Sequence, residues 1–111
     1  MSRLVQIPIH RELHQHLKNQ WKVFGYQQND FCIEAVDWFL KEKKLAGDFK
    51  LHYLASHNRP VAHIISLWLP QKTFDRLKVF SEKQSVAYAR VIYSAIIYYS
   101  ENIGALDPTE L

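Results

Sequence analysis

His10, His14 and His16 are the most closely spaced histidines in this 111-residue chain, and histidine is a common metal ligand. On one helix only His10 and His14, four apart, share a face, and neither a cysteine pair nor a His–carboxylate set stands nearby to complete a site. The single cysteine, Cys32, lies between Phe31 and Ile33 and reads as a buried apolar residue in a reducing compartment. The sequence shows no glycine-rich phosphate loop, nucleophile elbow or Cys–His pair. These residues point away from an enzyme, a metal site or a cofactor.

Charge and hydrogen bonding are then the chemistry left to the chain. Its 14 Lys and Arg against 11 Asp and Glu give +3. Glu101, Asp107 and Glu110 lie in a tail that holds no base, so residues 1–100 carry 14 basic against 8 acidic groups, a net of +6. A basic body suits a polyanionic partner. An apolar content of 48% with 23% charge fits a globular domain rather than a disordered segment. The start, MSRLVQIPIH, has no long apolar stretch after its arginine. The longest near-apolar run, residues 91–99, is broken by Ser94 and falls short of the ~20 residues of a membrane helix. The expectation is a cytoplasmic protein with no membrane partner.

Periodicity supplies the elements that position these groups. Val5, Ile7 and Ile9 alternate with Gln6 and Pro8, the pattern of a half-buried strand. Pro8 lacks an N–H, which confines that strand to an edge or a two-stranded ribbon. Leu13, Leu17, Trp21 and Phe24 form a helical stripe, His14, Lys18 and Lys22 a polar one, and Gly25 a stop. Asn29 is the expected N-cap of a second helix whose apolar face runs through Phe31, Cys32, Ala35, Val36, Phe39 and Leu40. Residues 45–61 read as a connector in which Phe49, Leu51 and Tyr53 alternate. Ile65, Leu67 and Leu69 then mark a second strand, followed by Pro70 at a favoured first helical position. Phe74, Leu77 and Phe80 mark a third helix, Ser85 a turn or cap, and residues 91–99 a last helix stopped by Gly104 and Pro108.

This order of strand, helix, helix is repeated. A constant offset of 60 aligns the halves without a gap, pairing Val5 with Ile65, Ile7 with Leu67, Leu17 with Leu77 and Ala35 with Ala95. Segments 19–30 and 79–90 match poorly. One such unit cannot bury its apolar faces or pair its strand alone, whereas two copies can form one ribbon and one core.

On these residues the chain resembles the ribbon-helix-helix superfamily of DNA-binding proteins, of the Arc/MetJ type. The resemblance rests on Val5-x-Ile7-x-Ile9, Leu13, Leu17, Gly25, Asn29 and Ala35-Val36. In the second half it rests on Leu67-Trp68-Leu69-Pro70, Leu77 and Ala95-Ile96. The tandem form is similar to the TraY-type conjugation proteins. It implies a mainly α fold with a two-stranded antiparallel β-ribbon, a tandem ribbon-helix-helix forming an intramolecular pseudo-dimer. The copies span 1–44 and 62–103, joined by a connector at 45–61 and followed by an acidic tail at 104–111. It further implies a ribbon lying in the major groove of double-stranded DNA, as a repressor-like transcriptional regulator or an accessory DNA-processing factor.

Alternation assigns Leu4, Gln6, Pro8, Ile64, Ser66 and Trp68 to the base-facing side. Gln6 can bond an adenine edge, Ser66 can donate or accept, and Leu4 and Ile64 can meet thymine methyls. The family often carries Arg, Lys, Gln, Asn or Thr there. No Lys or Arg occupies these six positions, which argues against guanine readout. Phosphate contacts are expected from Arg3, His10, Gln28, Asn29, Lys72, Ser85, Tyr88 and Arg90, with the second helix of each copy pointing its N–H groups at the backbone. His10 stands where Pro70 stands in the second half, which suggests a less sharp start to the first helix. The last helix is apolar nearly all round. Tyr93, Ile97 and Tyr98 are therefore expected to form a protein-interaction patch, used for self-association on DNA. The alternative is a ribbon-helix-helix protein-interaction module, antitoxin-like or an anti-regulator, without sequence-specific DNA readout. Its support is the apolar outward set, Trp68 included.

Overall fold

A computed structural model describes residues 2–46 and 62–105. The elements follow as β1 (Ser2–His10), α1 (Arg11–Val23), α2 (Gln28–Ala46), β2 (Ala62–Pro70), α3 (Gln71–Gln84) and α4 (Tyr88–Asn102). β1 and β2 pair antiparallel in a two-stranded sheet. The described residues are thus mainly helical, with a two-stranded antiparallel ribbon. Strands begin at 2 and 62, the helices after them at 11 and 71, and the next helices at 28 and 88. The 60-residue spacing of element starts survives even through the segments whose sequences match poorly. Helix α2 runs to Ala46, two residues into the segment read as connector. Residues 47–61, with Phe49, Leu51 and Tyr53, and residues 106–111, with Pro108, lie outside the described residues.

The ribbon register centres on Gln6 facing Ser66, with Ser2 opposite Pro70 and His10 opposite Ala62. Strand alternation turns Ile7, Ile9, Ile65, Leu67 and Leu69 under the helices, none more than 4% exposed. Each contributes about 1.5–3 kcal/mol relative to an exposed position. On the helical side α2 and α4 form the central pair, and α4 also meets β1 and α3. That enclosure explains the all-round apolar character of α4: residues 91–97 are all buried. The expectation of an open patch there is corrected. Tyr93 and Ile97 are 7% and 0% exposed, and Tyr98 is half-buried and stacks on Phe39 at 6.0 Å. The core also takes in Cys32, and burial pushes its thiol far above the usual range, leaving it unreactive.

Helix starts differ from the sequence reading at Pro70, His10 and Asn29. Pro70 is the N-cap residue of α3, one before the first helical position. His10 takes the same role for α1 with nearly the same backbone (φ −59°, ψ 132° against φ −54°, ψ 147°), so the first helix starts as sharply as the third. Asn29 is not a cap. Helix α2 already begins at Gln28, and the Gln27 carbonyl accepts from the Phe31 N–H at 2.9 Å.

The stops repeat one motif. The Tyr26 N–H bonds the Trp21 carbonyl at 2.8 Å and the Gly25 N–H the Lys22 carbonyl at 3.2 Å, with Gly25 left-handed at φ +82°. Sixty residues on, the Val86 N–H bonds the Ser81 carbonyl at 3.0 Å and the Ser85 N–H the Glu82 carbonyl at 3.3 Å. Ser85 is held at φ 57° and ψ 44°. It therefore closes α3, and does not cap the start of α4, whose N-cap is Ala87. A left-handed conformation costs a residue with a Cβ about 1–2 kcal/mol and glycine almost nothing. Ser85→Gly is expected to raise stability by about 0.5–1 kcal/mol in urea titrations, after the entropy that glycine loses on folding. A loss of stability would show that the serine side chain contributes more than its backbone strain costs.

Candidate nucleic-acid interface

Opposite the core, the ribbon presents three cross-strand pairs: Leu4 with Trp68, Gln6 with Ser66 and Pro8 with Ile64. Leu4, Ile64 and Trp68 are 48%, 63% and 54% exposed, Gln6 and Ser66 are exposed, and Pro8 is half-buried. The six residues expected to face outward therefore share one face. At its centre Gln6 Nε2 donates to Ser66 Oγ at 3.2 Å.

Asn29 ties the start of α2 to this ribbon. Its Oδ1 accepts from the Trp68 N–H at 2.7 Å, and its Nδ2 donates to the Trp68 carbonyl at 3.1 Å. The Trp68 N–H is thus not bonded to β1, which makes Leu4–Trp68 a non-hydrogen-bonded pair of the ladder. By alternation Pro8–Ile64, four residues along, is the same type. Pro8 therefore stands where no ladder N–H is required. The offset of 60 places Pro8 opposite Trp68 and Ala89 opposite Asn29 in the alignment of the halves. Trp68 has an N–H and an amide to satisfy it, and the equivalent place at Pro8 and Ala89 has neither.

A second correspondence links both strands to the helix starts. Near β2, His14 Nε2 lies 2.8 Å from Gln28 Oε1 and His14 Nδ1 lies 3.3 Å from His63 Nδ1. Gln28 Oε1 only accepts, so Nε2 carries the His14 proton and Nδ1 accepts from the His63 N–H. Near β1, the Arg3 guanidinium sits 4.6 Å over the Phe74 ring, and Phe74 meets Tyr88 edge-to-face at 5.4 Å. His63, His14 and Gln28 are each 60 positions from Arg3, Phe74 and Tyr88 respectively. The equivalent places hold a hydrogen-bonded cluster near β2 and a cation–aromatic cluster near β1, each drawn from both halves. His14 was read as part of a polar stripe. It is 8% exposed, and desolvation, with lesser effects from Lys18 and His63, lowers its pKa against the raising effect of Gln28. Local histidine spacing does not reach His63, 49 residues from His14. The repeat offset carried the signal.

These contacts revise the phosphate candidates. Gln28 and Asn29 have their side chains committed to His14 and Trp68, and the Tyr88 ring packs on Phe74. What the helix starts leave for an anion is main-chain N–H groups. Arg3 and Lys72 are exposed, at the start of β1 and in the first turn of α3, while His10 is half-buried. Helix α4 has no acidic residue in its first turn, which contains Arg90, whereas α2 carries Asp30 there. Ser85 is exposed in the turn before α4. Comparison with known proteins gives no match. No family model, curated protein or solved structure aligns with this chain. Among the described residues, no group of three or more His, Cys, Asp or Glu is placed to hold a metal ion. Among them, too, no helix is long and apolar enough to cross a membrane.

Proposed function

We propose that this chain is a double-stranded DNA-binding protein of the ribbon-helix-helix type, folded as an intramolecular pseudo-dimer that lays its β1–β2 ribbon in the major groove. It would act as a cytoplasmic transcriptional regulator or accessory DNA-processing factor. The observation that carries the reading is the ribbon itself. Its register centres on two residues 60 apart, and five of the six residues on its outer face are exposed. The major groove admits a two-stranded ribbon of this kind. The equivalent clusters around His14 and Phe74, and the matched helix stops, support a two-fold relation between the halves. The net +6 of residues 1–100 supports a polyanionic partner.

The test is selection of duplexes from a random pool, followed by anisotropy titration across salt. If Arg3, Lys72 and Arg90 each neutralise one phosphate, affinity should fall roughly fortyfold between about 50 and 200 mM salt. The exposed Leu4, Ile64 and Trp68 favour a second reading, a protein-binding ribbon. That reading predicts no enriched duplex and no salt-dependent DNA binding.

A further inference from the structure

We infer that the Gln6–Ser66 pair is an adenine reader at the centre of the ribbon, with Ser66 as the positioning residue that sets the preference. The inference rests on the major-groove reading and names the base pair that the site selects. A glutamine amide has two N–H donors and one carbonyl acceptor. Here one N–H is taken by Ser66 Oγ across the strands. One donor and one acceptor are left. Adenine offers the complement in the major groove, an N7 acceptor beside an N6 amino donor. Guanine offers N7 and O6, both acceptors. With one N–H engaged, a bidentate pose on guanine sets the Gln6 carbonyl against the O6 lone pairs.

The surroundings point the same way. The other outward residues, Leu4, Pro8, Ile64 and Trp68, have no side-chain pair of donors. Leu4 and Ile64 lie one on each side of the central pair and expose aliphatic groups suited to thymine methyls. Ser66 keeps its own hydroxyl hydrogen for an acceptor such as thymine O4. The centre and both flanks of the face thus suit A·T pairs.

The full chain is titrated against its selected duplex and against versions differing only at the central pair. One version carries G·C and another carries 7-deazaadenine, which lacks the N7 acceptor. The expected result is binding to the A·T duplex about tenfold or more tighter than to either. Gln6→Ala should bind all three alike. Ser66→Ala frees the second amide N–H. It should keep its affinity for the A·T duplex while its preference over G·C collapses. Both side chains are exposed, so the variants are expected to fold, and circular dichroism melting checks this. A G·C preference in the wild type overturns the inference, because the Gln6 amide then does not select adenine. An unchanged A·T preference in Ser66→Ala overturns it as well. Absence of salt-dependent binding to any duplex removes the DNA-binding reading itself, and this inference with it.

Discussion

Trp21→Ala is expected to lower the unfolding free energy by about 3–5 kcal/mol, read as a fall in the urea midpoint at unchanged slope. Trp21 is 1% exposed and stacks on Phe31, with ring centroids 4.8 Å apart and planes 26° apart. Truncation removes the largest fully buried side chain among the described residues and leaves a cavity against Phe31, which itself packs on Tyr26 and Tyr99. A domain of this size has about 5–15 kcal/mol in total, so the loss is a large share. One feature works against the tryptophan: its Nε1 is buried with no hydrogen-bond partner among the described residues. An orphaned donor costs about 1–3 kcal/mol. Trp21→Phe, which discards that N–H and keeps a ring, should therefore recover most of the stability lost in Trp21→Ala. A cost below about 1 kcal/mol for the alanine variant would mean that the Trp21 site collapses without strain and that the stacked pair does not anchor this half.

The same position explains why the repeat was legible at its ends and obscure in its middle. Position 21 aligns with Ser81, which is 3% exposed, and Phe31 aligns with Val91, which is 0% exposed. Both sites are buried, yet one half fills them with two aromatic rings and the other with a hydroxyl and a small aliphatic group. Strand alternation, helix periods and helix stops depend on the backbone and are shared. That is why Val5-x-Ile7-x-Ile9 and residues 65–69 could be placed, inward and outward sides included, before any contact was known. The side chains that join elements depend on partners far along the chain. Asn29 reads locally as a cap, because its true partner, the Trp68 main chain, lies 39 residues away. Tyr93 and Ile97 read as a free surface because periodicity on α4 cannot reveal that α2, α3 and β1 surround it.

Acidification is expected to destabilise this protein through the cluster at the α1–β2–α2 junction, with stability falling as pH drops through 6.5, the unfolded value for histidine. Desolvation leads the lowering of the His14 pKa, so the folded state binds its proton less readily than the unfolded state. The stability of the neutral form is then complete above pH 6.5 and is lost progressively below it, towards the lower folded value. Contact geometry adds to desolvation, the leading cause. Protonated Nδ1 of His14 would point an N–H at the His63 N–H only 3.3 Å away, and Lys18 adds a like charge from the same helix. Nε2 remains bonded to Gln28, so the strain falls on the link to β2. Arg3, Phe74 and Tyr88 stand in the equivalent places near β1, where the aromatic contacts need no histidine to be neutral. Transplanting those residues as His63→Arg, His14→Phe and Gln28→Tyr should remove this component. Wild type minus variant unfolding free energy, measured from about pH 7.5 to 5, should then decline by about 1 kcal/mol or more, the scale of one buried hydrogen bond broken. Other histidines and carboxylates are common to both proteins and cancel in the difference. A difference that stays constant over that range would locate the acid sensitivity elsewhere and leave the His14–His63 contact an ordinary packing feature.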